Sequence, residues 1–154
     1  DYSEWAKTVP EHITNDILWK VQAYRLALFA ADLGWSDVTK LISDKRTVAL
    51  ADQLYRALGS ISANIAEGYS RESKKDMARY YEYALGSARE SRDWYYKSRH
   101  VLPAEVVKHR MGLIMKIISL LVPMISHQRK NAIREEPAEY STSTISPDSP
   151  IPMP

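Results

Sequence analysis

At 154 residues and 17.6 kDa the chain has the size of one domain rather than two. Its apolar (45 %) and charged (26 %) fractions are those of a globular protein, and 21 Lys and Arg against 19 Asp and Glu leave a charge of +2, too small to name a partner. The absence of cysteine excludes a disulfide scaffold, a thiolate zinc site and a cysteine nucleophile, and with no basic-then-apolar leader a cytoplasmic protein is expected.

Glycine is scarce, at five residues, and the turn-rich alternation of a β protein is missing. Four segments instead carry apolar residues at intervals of three and four, the spacing of one helix face. The first runs through Ile17, Val21, Tyr24, Leu28, Ala31 and Trp35, with Asn15 or Asp16 as its N-cap and Gly34 suited to its C-terminal end. The second follows the capping pair Ser43-Asp44 and continues through Leu50, Leu54, Ala57, Ile61 and Ile65 to Gly68, a natural terminator. The third begins near Glu72 and repeats Met77, Tyr81, Ala84, Ala88, Ser91 and Tyr95. The fourth starts at Pro103, well placed for a first turn, and its stripe is Val107, Met111, Ile114, Ile118, Leu121 and Ile125. Four long helices with short connections predict an all-α fold, an antiparallel up-down four-helix bundle over residues 15–130 behind an N-terminal lead, 1–14. Residues 131–154 are expected to form a flexible Pro/Ser-rich tail. Five of the eight prolines and four serines fall within 135–154, and so few large apolar groups cannot offset the entropy of ordering.

The fourth helix carries more than a single bundle face requires. Between Val106 and Ile125, 13 of 20 residues are large and apolar, and a second row, Leu113, Ile117, Leu120 and Met124, lies beside the first. A membrane span is the rival explanation, opposed by Lys108, Arg110 and Lys116 and by the lack of about 18 uninterrupted apolar residues. Self-association through the second row is therefore expected, with Pro123 kinking or ending the helix.

Chemistry finds little purchase. His12, His100, His109 and His127 include no pair at i+3 or i+4, no phosphate-cradling glycine loop or nucleophile elbow occurs, and neither metal, cofactor nor catalysis is expected. Asp76 with Arg79 and Asp93 with Lys97 read as helix-surface pairs. Near the end of the second helix Asn64, Glu67 and Arg71 share a face among small residues. They suit a polar network fixing the following turn, with Glu67 on Arg71, or a ligand contact. Charge is uneven: residues 69–134 hold 14 Lys and Arg against six acids, a net of +8, and six of the ten tyrosines lie between Tyr69 and Tyr96. Arg71, Lys74, Lys75 and Arg79 open this region, and Arg89, Arg92, Tyr96 and Arg99 follow at intervals of three, four and three, so they form one stripe. Guanidinium groups attract phosphate and tyrosine rings stack on unpaired bases, which points to RNA or DNA; a solvated cationic face over core tyrosines is the alternative.

The run from Gln53 to Ala57, leading into Ser60-Ile61-Ser62-Ala63-Asn64-Ile65-Ala66-Glu67-Gly68-Tyr69-Ser70-Arg71, resembles the signature of the bacterial four-helix bundle proteins, also called 23S rRNA intervening-sequence proteins. Gly86-Ser87-Ala88-Arg89-Glu90 is similar to that family's Gly-Ser-x-x-Glu element, and Trp19, Lys20 and Ala23 to its usual opening; the likeness covers roughly residues 17–127. The longer lead, the linker after Trp35 and the proline-rich tail depart from the pattern. The resemblance implies an up-down four-helix bundle assembling as a ring-like homopentamer. It also implies a link to the basic accessory variability subunits of diversity-generating retroelements, which bind a reverse transcriptase and its nucleic acid. By position, Asn64, Glu67, Gly68, Arg71, Gly86, Ser87 and Glu90 match the motif. Structural purposes are expected for them: Gly86 and Ser87 for close approach of the third helix to the second, and Glu90 for a pair with Arg71 or Arg56. Two functions follow: a non-catalytic, oligomeric nucleic-acid-binding accessory protein, or a ring-shaped protein-interaction scaffold.

Overall fold

A computed structural model describes residues 1–139 and the side chains of 1–134. Among the described residues the protein is all-helical: α1 (Tyr2–Ala6), α2 (Glu11–Thr14), α3 (Gln22–Leu41), α4 (Val48–Tyr69), α5 (Lys74–Lys97) and α6 (Ala104–Glu139), with 3-10 turns at Ile17–Lys20 and Ser98–His100. Each of α3 to α6 packs on its neighbour in sequence, and α6 returns against α3. Between them lie Leu54, Leu58, Ile61, Ile65, Ile114, Ile117 and Leu121, all fully buried.

The helix ends differ from the expected ones for local reasons. Asp16 caps only the 3-10 turn, accepting from the Leu18 amide at 2.8 Å; Val21 is then extended, so α3 begins at Gln22. Its other end lies at Leu41, well past Gly34. Gly34 is a packing residue: a Cβ there would run into the Leu58 Cδ1 of α4. Asp44 likewise does not cap α4. It accepts from the Arg46 amide at 2.9 Å and binds the Arg46 guanidinium at 2.7 Å, while buried Thr47 donates its hydroxyl to the Leu41 carbonyl at 2.6 Å and closes the turn. Ser73 caps α5 through the Asp76 amide at 3.3 Å.

Gly68 is the last residue but one of α4, close to the expected end, and a Cβ there would stand 2.8 Å from Cε1 of Tyr81 on α5. Gly68 thus lets α4 and α5 approach closely, and the core stripe of α5 carries the small, fully buried Ala84, Ala88 and Ser91. Gly86 takes no part: it is exposed, and a Cβ built on it meets nothing within 4 Å among the described residues.

The segment 1–14 is itself folded. Trp5 and Tyr2 of α1 pack on Phe29 of α3 with ring centroids 5.1 and 5.5 Å apart, and the Trp5 indole N–H donates to Asp32. At the other end α6 neither stops at Pro123 nor at residue 130; it continues to Glu139. Proline removes one backbone donor, so the Ser119 carbonyl loses its i+4 amide while the turns on either side persist. The tail expected over 131–154 is therefore helical to 139, and 140–154 lie outside the described residues.

The second apolar row of α6 is largely absorbed by the chain itself. Ile117 is fully buried, and Leu113, Leu120 and Met124 pack half-buried against the core. One face would not suffice for both rows, but α6 is covered by α3 and α5 together. Among the described residues α6 is also the one helix long and apolar enough to cross a membrane, and packing covers only part of it, since Met115, Val122 and Ile133 stay exposed.

A polar knot locks these three helices. Arg110 of α6 donates from Nε and Nη2 to the Asp37 carboxylate of α3 at 2.7 and 3.1 Å, and the Tyr95 hydroxyl of α5 donates to Asp37 at 2.8 Å. Asp37 and Tyr95 are buried; burial and the neighbouring carboxylate push the Tyr95 phenol well above its ordinary value.

Candidate nucleic-acid interface

The cations singled out by sequence fall into two groups at opposite ends of α5. Its 24 residues make a rod of about 36 Å. At the α4–α5 turn, Arg71 is engaged with Glu67 through an i, i+4 contact, donates to the Tyr80 hydroxyl at 3.0 Å, and lies over the Tyr80 ring at 4.7 Å. Arg79 pairs with Asp76 at 3.4 Å and flanks the same ring at 5.6 Å. Lys74 reaches the Met77 sulfur at 3.8 Å, and Lys75 is exposed. Asn64, expected with Glu67 and Arg71, stays out of this cluster and donates to the Ser60 carbonyl at 2.8 Å. The cluster fixes a turn, and its two guanidinium charges are already matched by carboxylates.

The second group differs in kind. Arg89, Arg92 and Arg99 have no carboxylate within 4 Å among the described residues. Arg89 is exposed. Arg92 crosses to α6, its Nη1 lying 2.9 Å from the Met115 sulfur, so the stripe borders the α5–α6 seam. Arg99, in the turn after α5, stacks over the Tyr96 ring at 4.1 Å and donates to the Tyr96 carbonyl at 3.0 Å. Tyr96 is 52 % exposed. The acids nearest in sequence are occupied: Asp93 pairs with Lys97 at 2.7 Å, and Glu90 accepts from the Trp94 indole at 3.1 Å. Glu90 therefore meets neither Arg71 nor Arg56, which pairs with Asp52 at 3.1 Å within α4.

The remaining motif residues are divided. Ser87 is half-buried and its carbonyl accepts from Ser91 at 2.8 Å; neither it nor exposed Gly86 brings α5 to α4. Of the tyrosines in this region, Tyr81 and Tyr95 are core, Tyr69 and Tyr80 are half-buried, and Tyr83 and Tyr96 face outward, so stacking surface and core are both present. All four histidines are exposed, and no group of three metal-ligating side chains forms among the described residues. Sequence spacing gave no sign of the Asp37–Arg110–Tyr95 knot, whose members lie on three separate helices. Asp37 lies off the first apolar stripe, on the α3 face that is buried with Ala30, Gly34 and Leu41.

The geometry can be set beside known proteins. No curated protein matches the chain. Its fold is similar to the crystal structure of a protein of unknown function from the S23 ribosomal protein family of Bacteroides thetaiotaomicron, with TM-score 0.62 and 22 % identity over 67 % of this chain and 97 % of that one. The family model described as 23S rRNA-intervening sequence protein matches residues 20–122, which take in α3, α4, α5 and the first half of α6. The chain belongs to the 23S rRNA-intervening sequence protein family.

Proposed function

We propose that the protein is a non-catalytic accessory protein that binds nucleic acid through the Arg89–Arg92–Arg99 stripe. In this reading the four long helices form an antiparallel up-down bundle that assembles as a homopentameric ring and serves structured RNA or a reverse transcriptase complex. The carrying observation is that these three guanidinium groups lie on one stripe without carboxylate partners among the described residues, beside an exposed tyrosine. An unmatched cationic row attracts phosphate, whereas a matched one is mostly spent on its own acids. On this ground the Arg71–Arg79 group is secondary. Exposed Met115, Val122 and Ile133 on α6 support self-association.

The test is a salt titration of binding to structured RNA, with Arg89→Gln, Arg92→Gln and Arg99→Gln combined. Losing three phosphate contacts lowers the slope of log K against log salt by about 2 to 3. An unchanged slope and affinity sink the assignment. Sedimentation of the wild-type protein reads the oligomer separately.

A scaffold reading is favoured by a different observation. Trp35 of α3 is 64 % exposed and meets exposed Tyr55 of α4 at 5.9 Å, and Ile42 and Val48 near the α3–α4 turn are also exposed. Exposed aromatic groups of this kind anchor protein partners. If the arginine variant keeps its nucleic-acid affinity while Trp35→Ala loses a captured protein, the scaffold leads.

A further inference from the structure

We infer that the stripe takes an unpaired strand rather than a duplex, with Tyr96 as the surface on which one base stacks. The inference rests on the nucleic-acid reading above and specifies its ligand.

Three features of the α5 end carry it. First, Tyr96 is the one aromatic group on the stripe, and half of its surface is open although Arg99 lies over the ring at 4.1 Å. A rim ring that is this exposed contributes little to the fold, and the guanidinium above it is planar, so the pair offers a base both a π-face and a flat cation. Second, the Arg99 chain is held: its Nη1 donates to the Tyr96 carbonyl at 3.0 Å, so the stack exists before any ligand arrives. Third, the cations run along the helix axis. Arg89 to Arg99 spans ten residues, about 15 Å, which corresponds to about four stacked nucleotides at 3.4 Å each. A single line of charge of that length follows one backbone. A duplex presents two strands across a groove and hides its base faces, leaving Tyr96 without a partner.

The neighbouring acids agree with one strand in one lane. Asp93 and Glu90 sit on the adjoining face of α5, turned to Lys97 and Trp94, and so border the lane without entering it. Arg92 is braced across the seam by Met115. That fixes the middle cation while Arg89 stays free to follow a phosphate.

The experiment is fluorescence anisotropy with the full chain and labelled RNA of about twelve nucleotides, within the usual site range of ~4–16. A pyrimidine single strand and a duplex of the same length are compared at one salt concentration. Tyr96→Ala, Tyr96→Phe and the triple arginine-to-glutamine variant are run on both. The expected result is single-strand binding at least about tenfold tighter than duplex binding. Tyr96→Ala should then weaken the single strand about tenfold without altering the salt slope, and Tyr96→Phe should stay near wild type. The arginine variant alone lowers the slope. Equal binding of duplex and single strand, or a Tyr96→Ala protein as tight as wild type, overturns the stacking inference, and if the arginine variant still loses affinity the nucleic-acid reading survives it. If the wild-type protein binds neither probe at low salt, both fall together.

Discussion

Arg110 holds Asp37 in a two-point grip, at 2.7 and 3.1 Å, from a helix 73 residues further along the chain. Tyr95 completes the coordination at 2.8 Å, so one carboxylate ties α3, α5 and α6. Such a pair loses hydration on burial and adds little over well-packed apolar groups, but removing one member strands the other.

Replacing Asp37 with Asn should therefore be costly. Arg110 has a side chain only 15 % exposed, so its charge would be left without a counterion in a poorly hydrated place. A loss of about 3–5 kcal/mol is expected by denaturant unfolding, with the lower end favoured because Arg110 retains some water. The double change Asp37→Leu with Arg110→Met should lose much less. A single-variant loss below about 1 kcal/mol would show that the knot does not hold the three helices together.

Alkaline pH acts on the same knot through Tyr95. Burial and Asp37 raise its folded pKa, so the folded state keeps a proton that the unfolded chain sheds near pH 10. Above that point the unfolded state binds fewer protons and stability falls as pH rises, by up to about 1.4 kcal/mol per unit from this one group. Below pH 10 its contribution is fully present. Tyr95→Phe, measured by chemical unfolding from pH 8 to 11, should be less stable at neutral pH and show a shallower alkaline decline. Equal slopes in both proteins would assign the decline to other groups.

The core stripes of the second, third and fourth helices were readable from apolar spacing, because burial on one face imposes that period on the sequence whatever the partner. The first stripe was not: Ile17 and Trp35 are exposed and Val21, Tyr24, Leu28 and Ala31 only half-buried. Instead α3 buries Ala23, Leu26, Ala27, Ala30, Gly34, Asp37 and Leu41, a face whose many small residues stand out less in sequence than the large apolar groups beside it. Helix ends were less readable. Gly34 looks like a terminator in sequence yet sits inside α3 against Leu58, and Gly68, one residue short of the end of α4, also packs on Tyr81, since a missing side chain serves close packing as well as it serves a turn. Asp44 looked like a cap but turned to Arg46, two residues on. The cationic surface follows the same rule. The stripe from Arg89 to Arg99 is periodic and was legible, whereas which cations are neutralised depends on contacts such as Arg129 with Glu82 at 2.8 Å, across 47 residues. The excess of charge in 69–134 therefore overstates what is free to meet phosphate.

Asp44 provides an acid-side test of that turn. Hydrogen bonds from the Arg46 side chain and amide hold its carboxyl down to about 2. A depressed carboxyl contributes stability above its unfolded value and loses it as pH falls from near 4 toward 2. The pair is exposed, so the expected effect is a local one. In carbon-detected titration Asp44 should titrate near 2 in the wild-type protein and move up toward the ordinary aspartate range in Arg46→Ala. An ordinary value in the wild type would mean that the contact is not maintained in solution.

Gly68 and Gly86 both fall in the family motif, and substitution should separate them. At Gly68 a new Cβ lies 2.8 and 2.9 Å from two Tyr81 ring carbons and 3.0 Å from the Tyr80 Cβ. The Tyr81 ring is buried and cannot swing aside, so α4 and α5 must separate, which costs about 1–3 kcal/mol. Gly86→Ala meets nothing within 4 Å among the described residues and removes a flexible residue from a helix interior, so it should stabilise the folded chain by about 0.8–1 kcal/mol. Thermal melts of the two variants should therefore shift in opposite directions. If Gly86→Ala instead lowers the melting temperature, or splits an oligomer, the space beside Gly86 is filled in solution by another molecule. The glycine would then serve an approach between copies, since nothing among the described residues lies near enough to require it.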